Sequence, residues 1–110
     1  MDSTSLDLLT LSRCNEFVNT QFYLGTPTGS QLIELIAVTP GPIAKGGPDG
    51  SSYESFSLLF RGPNDPPLQQ GTYTFRHEKL GSFDLFTVPI GKGKSGIEYQ
   101  VVINRLVKDR

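Results

Sequence analysis

Apolar and polar residues alternate along this chain in short runs, and glycine or proline separates one run from the next. The sharpest run is Phe56-Ser57-Leu58-Leu59-Phe60-Arg61, stopped by Gly62-Pro63. A period of two marks a strand, and a Gly-Pro pair ends it. The same reading predicts strands over 21–24, 31–39, 82–90 and 97–107, and a clean alternation over 71–76. Before them, Ser12 is placed to cap a short helix running to Val18, with Cys14, Phe17 and Val18 on its buried side. Pro40–Ser52 and Gly62–Gln70 read as loops, because proline fixes φ and lacks an N–H.

Six strands at short spacing predict a mainly β protein. The expected fold is a six-stranded antiparallel sandwich or small barrel with one short N-terminal helix. At 110 residues the chain is one domain, 1–110, with residues 1–10 as a flexible arm. Two strands carry apolar residues on both sides. Leu32, Ile36 and Val38 alternate with Ile33 and Leu35, and Phe83 and Leu85 alternate with Phe86 and Val88. A sheet with one wet face would alternate with polar residues instead. The second apolar side therefore needs cover, and an uncovered patch marks an interface. The contact surface expected from this balance is Ile33, Leu35, Phe83 and Leu85, with Arg61 as a cation facing the partner.

Charge narrows the class of partner. Ten Lys and Arg stand against eleven Asp and Glu. Phosphate neutralisation supplies most nucleic-acid affinity and needs a basic excess, so no nucleic-acid partner is expected. Near-neutrality also tolerates self-association. No basic region followed by an apolar run opens the chain, and no run approaches the ~18 residues of a membrane helix. The expectation is a cytoplasmic protein with no membrane partner.

Candidate chemistry is sparse. Gly91-Lys92-Gly93-Lys94-Ser95-Gly96 spells G-x-G-x-x-G, but a strand rather than a helix is predicted after it. The pyrophosphate of a dinucleotide sits on a helix N-terminus, so a hairpin tip is the better reading. His77 and Cys14 are the sole histidine and cysteine, which offers no metal-ligand spacing and no internal disulfide. Asp49, Asp65 and Asp84 stand apart, and Asp65 is placed to brace Arg61. No catalytic, cofactor or metal site is expected, and the chain reads as a non-enzymatic domain working by protein contact. One alternative is a barrel holding a small molecule among Phe60, Tyr73, Phe75 and Tyr99. A weaker one is a hydrolase-type enzyme using His77 with Asp84 or Cys14.

The Phe56–Pro63 run is followed by Gln70-Gly71-Thr72-Tyr73, then His77, Leu80-Gly81 and Leu85-Phe86-Thr87-Val88-Pro89. On this pattern, F-S-L-L-F-R-G-P, Q-G-T-Y, H-x-x-L-G and L-F-x-V-P, the chain resembles a family of small uncharacterised bacterial proteins, a domain of unknown function. The resemblance covers roughly Phe17 to Asn104. It implies no activity. Members accompany phage-tail collar-like proteins, which implies an accessory or assembly role in a phage-tail-like or surface structure.

Overall fold

The computed structural model describes residues 10–26, 29–45, 52–63, 68–93 and 95–107. One helix, α1 (Leu11–Glu16), precedes six strands: β1 (Gln21–Thr26), β2 (Gly29–Lys45), β3 (Ser52–Gly62), β4 (Gly71–His77), β5 (Gly81–Gly93) and β6 (Gly96–Val107). All pairings are antiparallel, and the order β1-β2-β3-β6-β5-β4 closes into a barrel. The closing seam between β1 and β4 is short: Tyr23 faces Arg76 and Leu24 faces Phe75.

β3 sits between β2 and β6 and carries the core. Phe56, Leu58 and Phe60 all point inward and are buried. Phe60 lies opposite Leu35 on one side and Tyr99 on the other, and Leu58 lies opposite Val38 and Val101. The Phe60 ring meets Phe22 edge-on at 5.2 Å between centroids and Phe75 at 5.0 Å. Tyr99 is buried too, and its hydroxyl accepts the Leu68 N–H at 2.9 Å. That bond ties the chain after β3 to the barrel wall and satisfies a buried donor.

The helix is capped by Thr10 rather than Ser12. Thr10 is extended (φ −90°, ψ 164°) and its Oγ1 accepts the Arg13 N–H at 3.1 Å, while Ser12 lies inside the helix. Six residues cannot hold a helix in water, so packing must. Cys14 is buried, and Leu11, Phe17 and Val18 lie against the core.

Two features of β2 correct the sequence reading. The strand does not stop at Thr39 but runs to Lys45, through Pro40 and Pro42, with a register shift between Pro40 and Ile43. Proline is tolerated where the ladder is already irregular. A second shift lies between Leu35 and Ala37. The extra residue reverses the inward phase: Ile33 and Leu35 face the core before it, and Val38, opposite buried Leu58, packs on the core after it. The apolar residues on both sides of β2 mainly serve one interior.

The outward placement expected for Ile33, Leu35, Phe83 and Leu85 is therefore overturned. All four are buried in the core. Among the described residues, the exposed large apolar ones are Tyr23, Leu32, Phe86, Ile90 and Val102.

Candidate functional site

β4 ends in Tyr73-Thr74-Phe75-Arg76-His77, and its phase points Phe75 and His77 inward. His77 is only 7% exposed. Its ring lies 4.9 Å from that of Phe17 and 4.6 Å from that of Phe22. Both ring nitrogens are engaged. Nδ1 accepts the Lys79 N–H at 3.0 Å, and Nε2 meets Thr20 Oγ1 at 3.1 Å. The Thr20 hydroxyl donates to the Phe17 carbonyl at 2.7 Å. Because that hydroxyl spends its proton there, it accepts from Nε2–H, and the imidazole is neutral with its proton on Nε2.

The turn after α1 is fixed with equal care. Asn19 adopts φ 73°, the left-handed conformation that asparagine tolerates after a helix. Its N–H donates to the Leu35 carbonyl at 2.6 Å, and the Leu35 N–H donates to the Thr20 carbonyl at 3.0 Å. The helix exit is thereby stitched to β2 while His77 is stitched to the helix exit.

Above this brace lies an open groove of about 460 Å³, lined by Phe17, Asn19, Thr20, Gln21, Tyr23, Glu34, His77, Glu78 and Lys79. A second hollow of about 250 Å³ includes Leu32, Arg61, Gly62 and Ser95 in its wall. Gln21 and Glu34 line both and face each other across the β1–β2 ladder, so they form the divide. Tyr23 and Leu32, also direct cross-strand partners, stand one in each hollow. The polar row continues outward: Glu34 faces Arg61, and Arg61 faces Glu98. Arg61 is half-buried on this outer face, and Asp65 lies outside the described residues.

The other expected site residues scatter. Asp84 is exposed and accepts from Thr74 Oγ1 at 2.7 Å, on the side of β5 facing away from the core. Asp49 and Lys94 lie outside the described residues. Cys14 is buried, and burial, then the nearby Glu54 charge, pushes its thiol up to about 11. A nucleophilic cysteine needs the opposite shift. Gly93 pairs with Gly96 across the hairpin tip, and β6 follows directly, so no helix N-terminus faces that glycine run. Phe60, Phe75 and Tyr99, named as the wall of an internal ligand site, are fully buried against neighbours, and Tyr73 is partly buried with its hydroxyl donating to the Gln69 carbonyl at 2.6 Å. Among the described residues, no three His, Cys, Asp or Glu gather closely enough to share a metal ion, and no helix is long and apolar enough to cross a membrane.

The groove residues Asn19, Thr20, Gln21, Glu34 and Lys79 were not legible as a set. One signal was available: in Tyr73-Thr74-Phe75-Arg76-His77, the period of two that buries Phe75 also buries His77.

The two titrating groups bracket a stability plateau. Burial lowers the His77 pKa below 6.5, with Glu78 opposing and Lys79 reinforcing the shift. The unfolded chain then takes the proton first, so stability is full above about pH 6.5 and is lost as pH falls through the folded value. For Cys14 the sign reverses: the unfolded thiol ionises first, near 9.0, and stability is lost as pH rises from there toward 11. Urea midpoints measured against pH should fall on both flanks. His77→Gln should flatten the slope just below pH 6.5, and Cys14→Ala the alkaline one. Slopes unchanged in both variants would contradict these assignments.

Fold and groove together define a closed six-stranded antiparallel barrel with an aromatic and aliphatic core and two hollows that share the Gln21–Glu34 pair. Over residues 9–103 the chain matches the family described as Domain of unknown function (DUF6916), and it belongs to that family. No curated protein and no solved structure matches it.

Proposed function

We propose that this barrel is a non-enzymatic domain that works by protein–protein contact. Its contact face is the outside of β1 and β2 around the two hollows. The carrying observation is the Tyr23–Leu32 pair. These two residues are 48% and 41% exposed although they face each other directly, and each stands in a hollow beside Glu34. An aromatic and an aliphatic side chain left in water beside ordered polar groups have the composition of an interface centre and rim. Arg61, next along the same face, supplies the cation. The face replaces the Ile33, Leu35, Phe83 and Leu85 set, which is spent on the core.

Support for an assembly role comes from the resemblance of the F-S-L-L-F-R-G-P, Q-G-T-Y and L-F-x-V-P pattern to that of small bacterial proteins. On that reading the chain is an accessory or assembly component of a phage-tail-like or surface structure, held in the cytoplasm until it is incorporated. The test is capture from cells of the source organism with wild type and with Leu32→Lys, at matched denaturation midpoints. Wild type should retain a protein that Leu32→Lys loses. Equal capture by both would place the contact elsewhere.

A further inference from the structure

β6 is paired with β3 along its whole length, from Gly62 opposite Ile97 to Ser52 opposite Val107. On its other side it is paired with β5 only as far as Gln100, which faces Val88. From Val101 to Val107 that second side meets no strand among the described residues. β2 is the opposite margin of the same three-stranded extension, because it leaves β1 after Glu34. The two margins are built differently. Along β2, Pro40 and Pro42 lack N–H groups, the register breaks twice, and Asn19 and Thr20 already occupy the backbone of Leu35. These are the devices that blunt an edge. Along β6 the register with β3 is unbroken and there is no proline. Val102 faces outward at 56% exposed beside that edge, and Phe86, 54% exposed, lies on β5 two residues short of where the β5–β6 ladder begins.

We propose that the Val101–Val107 edge of β6 pairs antiparallel with the same edge of a second copy of this chain. An antiparallel ladder contains its own two-fold axis, so an open antiparallel edge is complementary to itself. Charge excludes one register. Pairing centred on Asn104 sets Arg105 opposite Ile103, Leu106 opposite Val102 and Val107 opposite Val101, whereas centring on Arg105 would oppose two arginines. A net charge of −1 adds little long-range repulsion. Two extensions then join into one continuous sheet, with Val102 of each copy covered. This edge is separate from the Tyr23–Leu32 face, so the two readings stand or fall independently.

Sedimentation of the full chain over a concentration series, with hydrogen exchange read by fragment, tests the proposal. The expected result is a monomer–dimer equilibrium with slowed exchange over residues 101–107 in the dimer. Val102→Lys should weaken the dimer at least tenfold while leaving the denaturation midpoint of the monomer unchanged. Phe86→Lys, which leaves β6 itself untouched, should weaken it as well. A monomer at all concentrations with fast exchange along this edge overturns the proposal. So does a dimer indifferent to both variants, or one dissolved by Leu32→Lys instead. Protection of this edge only by a different protein overturns the second copy as occupant.

Discussion

Phe60→Ala is expected to lower the stability of the barrel by about 3–5 kcal/mol, the range for emptying an aromatic site in a packed core. Domains of this size are stable by only ~5–15 kcal/mol, so the variant should sit near the edge of folding at physiological temperature. The reason is positional. Phe60 is fully buried on the strand shared by two ladders, opposite Leu35 and Tyr99, with its ring against Phe22 and Phe75. Those neighbours come from β1, β2, β4 and β6, so no single strand can shift to fill the hole without breaking its own register. Phe86→Ala, on an exposed ring, should stay within about 0.5 kcal/mol. Denaturant midpoints of the two variants check the contrast. Similar losses in both would mean that β3 does not hold the core together.

Gly96→Ala is expected to be the most damaging substitution outside the core. Gly96 holds φ +140°, a conformation open almost only to glycine. A methyl group there would run into the Gly62 carbonyl oxygen and press the Arg61 side chain. The strained conformation alone costs about 1–3 kcal/mol, and displacing the β3 backbone adds to it. Gly96 opens β6 and pairs with Gly93, while the next residue, Ile97, pairs with Gly62. The damage thus falls where the β5–β6 hairpin meets β3. Gly91→Ala is the control: nothing stands within 4 Å of its added carbon, and its φ is not positive. It should change the midpoint little. Equal effects at both positions would contradict the close approach at Gly62.

The sequence made the punctuation readable and the phase only partly so. Glycine and proline marked nearly every strand end, and the inward set Phe56, Leu58, Phe60 followed from alternation alone. β2 defeated the same logic because a one-residue bulge between Leu35 and Ala37 swaps the faces. No local propensity announces such a bulge; it is fixed by the register of Leu35 against Phe60 and Val38 against Leu58. Hence a strand that looked apolar on two sides turns most of those residues toward one interior and leaves Leu32 outside. Pro40 and Pro42 misled for a related reason. They signal a loop only if the ladder needs their missing N–H groups, and at the shifted margin of β2 it does not. β5 was read with its faces reversed: Phe83 and Leu85 are buried, and Phe86 is the large apolar group left in water. The charges at Glu78 and Lys79 hide in the sequence that the period of β4 carries His77 inward. Its neutral, doubly bonded state follows from contacts with Thr20 and Lys79 that only the closed barrel brings together.

The claim that the working surface lies outside, around Tyr23 and Leu32, and that His77 serves as a brace, is tested most directly on the complex with a captured partner. Hydrogen exchange of the chain with and without that partner should show slowed exchange over 21–24 and 29–34, unchanged in His77→Gln at a pH where that variant is folded. Protection confined to other strands would contradict the account, as would a chemical change in the partner that stops when His77 is replaced.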